Sequence, residues 1–183
     1  MLKGKGPLLK DVEFRLVSEL MKNSRRSDRE LAKVLGISQP TVSRAIRKME
    51  EKGIIREYTM IPDFNKLGYK ILALTFIKLK RAFTQEQIEK AQEVTRQSLK
   101  TGPFEVVMLE RGLGLTYDGV FITYHEDYSS HVKFMKWLRQ FDFLELEESG
   151  SFLINLEDKV RYRTLTFSTL ANHILQMKEK KQQ

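Results

Sequence analysis

The chain has 183 residues, 41% hydrophobic and 31% charged, enough for one domain or two small ones with real cores. It contains no cysteine, which excludes disulfides, thiolate metal sites and cysteine nucleophiles. The formal charge of +8 is uneven: residues 1–60 carry 14 Lys/Arg against 8 Asp/Glu, residues 61–183 carry 18 against 16.

A local basic excess attracts a polyanion in a salt-sensitive way, although RNA or an anionic membrane surface would answer the same charge. No apolar run is long enough to read as a membrane span, and MLKGKGPLLK lacks the apolar core of a signal peptide. The expected location is therefore cytoplasmic. The Lys-rich ends, residues 1–10 and 178–183, read as frayed, with the N-terminal lysines within reach of phosphates.

Asp11 reads as the cap of a first helix running to about Asn23, with Leu16, Val17, Leu20 and Met21 as its buried stripe. SRRSD breaks the pattern. In DRELAKVLGISQPTVSRAIRKMEEK, residues 28–52, Leu31, Val34 and Leu35 recur at helical spacing, and Gly36 suits a left-handed turn. Ser38 reads as the next cap, and Pro40 falls in the first turn, where a missing N–H costs little. Val42, Ile46 and Met49 then line one side of a helix whose other side is centred on Pro40, Arg44 and Arg47, with Ser43 and Lys48 flanking. A helix anchored on one stripe and offering arginines on the opposite one has the form that enters a DNA major groove. Double-stranded DNA is the expected partner. Gln39 either pairs with an adenine or caps the helix start.

Gly53 suits the helix C-terminus, and IIREYT alternates as an extended segment would, so a strand is expected after three helices, as in a winged helix-turn-helix. Arg56 on that segment either touches phosphate or is a solvated edge charge. IPDFNKLGY reads as a linker.

Beyond it, Ile71–Lys80 reads as a strand with Ile71, Ala73, Thr75, Ile77 and Leu79 on one face. Thr84 opens a T-x-x-Q capping box for a helix to about Leu99 carrying Ile88, Ala91 and Val94. Strands are expected at Phe104–Glu110 and Tyr117–Tyr124, joined through RGLGLT. A helix then opens at Ser129 or Ser130, with Phe134, Trp137 and Leu138 on its apolar side, and residues 144–156 return as a strand. The order β-α-β-β-α-β predicts a ferredoxin-like antiparallel sheet with two helices on one face. Apolar residues on the bare face predict sheet-to-sheet packing with a second copy. RYRTLTFSTLANHILQMKEK reads as a C-terminal helix with Leu170, Ile174 and Met177 on one side.

The fold class is thus α+β, divided as a helix-turn-helix domain (1–60), a linker (61–69), a ferredoxin-like domain (70–156) and a C-terminal extension (157–183). His125, His131 and His173 have no close second ligand and read as surface or interface residues; no metal and no cofactor is expected. The alternating carboxylates Glu145, Glu147 and Glu148 read as solvent-facing.

ELAKVLGISQPTVSRAIRKMEEKGII and YTMIPDFNKLGYKI, in that order and ahead of a split βαβ, resemble the Lrp/AsnC (feast/famine) transcription regulators over roughly residues 10–156. The resemblance implies a dimer or an assembly of dimers whose sheet domain binds a small effector, often an amino acid. It places DNA contacts on Gln39–Glu51, chiefly Thr41, Ser43, Arg44 and Arg47. It places the effector region on ERGLGLTYDG, where Gly112, Gly114, Tyr117 and Asp118 are the candidates. Tyr117 and Asp118 match the family's Gly-Asp-Tyr-Asp-like sequence, while Arg111–Thr116 depart from it. Two other functions stay open: an Lrp-like decarboxylase of tetrapyrrole metabolism, and a DNA-compacting protein with little sequence preference.

Overall fold

A computed structural model describes residues 9–80, 84–141 and 146–180. The N-terminal lysines Lys3 and Lys5, the last three residues and Glu145 lie outside them. The chain divides into two compact units, one of the residues up to Ile61 together with those from Tyr162 on, the other Pro62–Arg161.

The first unit begins with α1 (Asp11–Lys22), α2 (Asp28–Leu35) and α3 (Gln39–Glu51). Lys10, not Asp11, is the capping position of α1, and its backbone N–H donates to Glu13 Oε2 at 2.6 Å. Ser27 and Glu30 cap α2 reciprocally, a box hidden in the SRRSD break. The three helices meet on a core of Leu16, Leu31, Ala32, Leu35, Val42 and Met49. Val34, expected on the α2 stripe, is exposed, and Ala32 takes the inward position. The expected strand over residues 54–59 forms no ladder. Its first N–H groups instead turn back onto the helix end, Ile54 and Ile55 both donating to Met49 O. The sixth helix, α6 (Ser168–Lys180), belongs to this unit and packs along α1. Its buried position is Ala171, with Ile174 and Leu175 half-buried, whereas Leu170 and Met177 of the expected stripe stand about half exposed.

The second unit has β1 (Ile71–Leu79), α4 (Gln85–Thr101), β2 (Val106–Gly114), β3 (Tyr117–His125), α5 (Tyr128–Leu138) and β4 (Leu146–Asn155). The strands form one sheet in the order β2-β3-β1-β4, every pair antiparallel, the split βαβ expected. Ala73, Thr75 and Ile77 of β1 point inward, as predicted, opposite Thr123, Phe121 and Gly119 of β3. Asp127, rather than Ser129 or Ser130, caps α5 by accepting from Ser130 N at 2.7 Å. Phe134 and Leu138 of α5 close the core over Ile77 and Phe121, with Trp137 against Phe104. No described side chain of α4 is fully buried, and Val94, expected inward, is exposed.

Two expectations fail here for physical reasons. His125 and His131 are buried, not superficial, with rings 5.2 Å apart. His125 Nε2 shares a 2.8 Å hydrogen bond with Thr123 Oγ1, and His131 Nε2 one of 3.1 Å with Ser151 Oγ. Ser151 in turn meets Thr75 Oγ1 at 2.9 Å. Burial pushes the His125 imidazole down to about 4, helped by its neighbour His131, which burial also lowers. Meanwhile the opposite face of the sheet carries Leu72, Leu74, Phe76, Val120, Ile122, Phe152 and Ile154. Apolar side chains therefore line both faces of the sheet: Ala73, Ile77 and Phe121 lie beneath, beside the buried hydroxyls and imidazoles, and hydrocarbons lie outside as well.

The second concerns the β2–β3 connection. Arg111–Gly114 continue β2, and the turn is only Leu115–Thr116, both at positive φ (51° and 65°). That is the mirror-image handedness a two-residue hairpin demands, supplied here by residues that disfavour it.

Candidate nucleic-acid interface

The turn between α2 and α3 is built by Gly36, which sits at φ 67°, ψ 34°, a conformation without penalty only for glycine. Ile37 N–H closes back on Ala32 O at 3.1 Å. Ser38 then accepts from Thr41 N at 3.4 Å, and its hydroxyl meets Thr41 Oγ1 at 2.8 Å. Pro40 occupies the first turn of α3, as the sequence indicates. With Val42 and Met49 in the core, α3 has one rotational setting, and Gln39, Pro40, Ser43, Arg44 and Arg47 emerge exposed.

Arg44, Arg47, Ser43 and Lys48 each have a local partner. Arg44 Nε donates to Pro40 O at 3.2 Å, keeping its two terminal nitrogens forward. Arg47 Nε pairs with Glu51 Oε1 at 3.1 Å, one turn on along the same face. Ser43 Oγ donates to Asp28 Oδ2 and to Gln39 O, tying α3 to the start of α2. Lys48 reaches Glu13 Oε1 at 3.5 Å. Glu13 is buried, and the Lys10 N–H bond, then Lys48, hold its carboxyl below the usual range against the opposing effect of burial. Tyr58 donates to Glu50 Oε1 at 2.9 Å, and burial with that carboxylate pushes its phenol up to about 12. Arg56, two residues earlier, is exposed.

Asp28, Glu13 and Glu51 were not among the residues singled out by sequence. Glu51 had a signal, four residues beyond Arg47 and thus on its face. Glu13 had none, because a carboxylate among Val12 and Leu16 reads as solvent-facing until α3 places Lys48 above it.

In the sheet unit, the four candidate effector residues separate into two groups. Gly112 and Gly114 lie exposed on the hairpin arm. Tyr117 and Asp118 lie at the sheet, where Tyr117 OH donates to Glu148 Oε1 at 3.3 Å and Asp118 Oδ2 accepts from Leu79 N at 2.8 Å. That acceptance serves the end of β1, where the register with β4 shifts. Glu148 also lines an open cleft of about 580 Å³ with Lys80, Arg139, Glu147, Phe141 and Leu146, so both signs of charge border it. Glu147 and Glu148 are exposed, as expected. Among the described residues no cluster of three or more His, Asp or Glu could hold a metal, and no helix is long and apolar enough to cross a membrane.

A family model for winged helix-turn-helix DNA-binding matches residues 9–56. The HTH-type transcriptional regulator FL11 of Pyrococcus abyssi is 30% identical over 103 residues, 55% of this chain and 68% of that one. An HTH-type regulator of Pyrococcus furiosus, PF2053, is 34% identical over 100 residues, covering 52% and 67%. Among solved structures, PH0061 aligns at TM-score 0.67 with 27% identity over 87% of this chain and 99% of that one. The AsnC family regulator of Agrobacterium tumefaciens has the same fold, at TM-score 0.64 and 24% identity over 86% and 95%. The relatives are regulators, which sets aside the decarboxylase alternative. The turn, the anchored α3 and the sheet order thus have one family in common: the chain belongs to the Lrp/AsnC helix-turn-helix DNA-binding transcriptional regulators.

Proposed function

We propose that the protein reads a specific duplex sequence with α3, as a dimer joined through the outer face of its sheet. One observation carries the reading of DNA: Val42 and Met49 are fully buried while Pro40, Arg44 and Arg47 stand exposed on the opposite side of the same helix. Arg44 and Arg47 take base edges, the commonest specific contact being a bidentate arginine on guanine. Gln39, Thr41 and Ser43 at the start of α3 take adjoining bases or phosphate, where helix N–H groups favour an anion. Pro40 packs close to the groove wall, and Lys48 and Arg56 neutralise flanking phosphate. On binding, Arg47 exchanges Glu51 for DNA.

The dimer rests on the apolar outer face of the sheet. Phe152 is 66% exposed, with Leu72, Leu74, Phe76 and Ile122 around it on a face that a second copy would cover. Two-fold pairing then presents two α3 helices to successive major grooves.

An amino-acid effector is favoured by the hairpin and cleft of the sheet unit. Lys80 and Arg139 offer a carboxylate partners, while Glu147 and Glu148 offer an amine partners, with Phe141 and Leu146 between. A neighbour of the same fold, NMB0573 of Neisseria meningitidis, was solved in complex with L-Met; it is 18% identical at TM-score 0.68, over 91% of this chain and 99% of its own. Tyr117, bonded to Glu148, and Asp118, bonded to Leu79 N, adjoin the cleft, and Gly112 and Gly114 would act from the hairpin arm. An effector acts only by binding two assemblies unequally.

The test is selection of bound duplexes from a random library by the wild type and by Arg44→Ala/Arg47→Ala, at several salt concentrations. An enriched, near-palindromic site lost in the variant is expected. Binding without enrichment would favour a compacting role, and no binding at low salt would sink the reading. Amino acids are then screened by thermal shift, with Arg139→Ala expected to abolish any response.

A further inference from the structure

The burial pattern of α1 points to a surface that the three-helix core does not use. Successive residues of a helix are about 100° apart. Leu16 faces the core, which places Ser18 on the far side of α1, with Phe14 and Met21 beside it. Three helices alone would leave that side in water. Yet Ser18 is 1% exposed, and Phe14 and Met21 are half-buried. The Ser18 hydroxyl is buried with no hydrogen-bond partner among the described residues. The element packed along α1 is α6, whose Ala171 is 0% exposed. Two small residues at the covered positions of two helices allow a close approach of their axes.

We propose that the outer face of α1 is a docking surface for the chain's own C-terminal helix. The contact makes the DNA-binding unit a four-helix body joined to the sheet unit by two chain segments, one leaving at Ile61 and one returning at Tyr162. Because α1 meets α3 through its other side, α6 leaves Arg44 and Arg47 open. Docking therefore does not block DNA. It limits the orientations the unit can take, since a body held by two segments has fewer than one held by a single linker. The matched family model ends at residue 56 and does not include this helix. The consequence for DNA rests on the proposed reading by α3; the docking itself does not.

The absence of cysteine makes the test clean. In full-length Ser18→Cys/Ala171→Cys, mild oxidation of dilute protein is expected to give an intrachain bond, seen as a faster-migrating monomer on a non-reducing gel. If strain prevents the bond, a short bismaleimide must bridge the thiols. Two thiols that neither reagent joins, or joins only between chains, overturn docking on the chain's own α1. Ala171→Glu, which places a charge at the contact, is expected to raise amide exchange in residues 168–177 at least tenfold while α2 and α3 stay protected. Unchanged exchange overturns the proposal.

The DNA arm uses duplexes that the wild type selects, with the two half-sites moved apart by half a helical turn. The wild type is expected to lose at least tenfold in affinity and Ala171→Glu less than threefold. Equal losses overturn the tethering role. A wild type that selects no duplex sinks the α3 reading, and the cross-link then decides docking alone.

Discussion

Each unit buries a titratable group beneath its surface, and the two treat it differently. In the DNA-binding unit, Glu13 is buried but engaged: the Lys10 N–H and Lys48 hold its carboxylate charged. In the sheet unit, His125 and His131 are buried neutral, each with a hydroxyl on Nε2 and nothing on Nδ1. A buried charge with partners braces a neighbour, here the recognition helix. A buried imidazole with half its hydrogen bonds is a group that acid expels.

The most damaging change expected is on the DNA side. Each of Arg44→Ala and Arg47→Ala removes about 1–3 kcal/mol if it reads a base, so the pair together should cost at least about thirtyfold in affinity, read by fluorescence anisotropy. A loss below threefold would mean that α3 does not read bases.

Acid should then take the two units apart in order. The folded pKa of His125 lies at about 4, below its ordinary 6.5, so the unfolded chain binds the proton first as pH falls. The sheet unit is most stable above 6.5 and loses on the order of 3 kcal/mol between there and 4. Trp137, the single tryptophan, packs in that unit against Phe134 and reports its urea midpoint by fluorescence. Glu13 is lowered, so its contribution is full above about 4.5 and fades only as pH falls through its folded value. A midpoint for Trp137 that stays flat from pH 7 to 5 would break the contrast.

Glu13→Gln should cost the DNA-binding unit about 1.5–3 kcal/mol, the range for a lost bond to a charged group, and leave the Trp137 transition unmoved. Circular dichroism, dominated by helix, would follow it. The smallest effect is a gain: Glu51→Gln frees Arg47 from an exposed pair worth a few tenths of a kcal/mol, and should tighten DNA binding by up to about twofold. Weaker binding would show that Glu51 orients Arg47 rather than competing for it.

What the sequence revealed follows from which signals are local. The cap at Ser38, Pro40 in the first turn and the spacing of Val42, Ile46 and Met49 lie within one stretch, so α3 is readable to its ends. The strand order was readable because the six elements of the sheet unit follow one another with clear boundaries. The hairpin tip was not, since Leu115 and Thr116 carry no preference for positive φ, whereas the glycines that do are spent within β2. Nor was the burial of His125. It shares an inward register with Phe121 and Thr123, but the apolar residues Val120, Ile122 and Tyr124 between them signal the opposite face. Lys48 meeting Glu13 depends on two helices crossing, which no single stretch announces.

The packing of α6 on α1 also has a consequence in time. Synthesis runs from the N-terminus, and the first three helices, complete by Glu51, precede α6 by more than a hundred residues. At ribosomal speeds that gap lasts on the order of 10 s. Throughout it, Phe14 and Met21 wait without the helix that covers them, so a nascent chain carries an adhesive stripe that the finished protein does not.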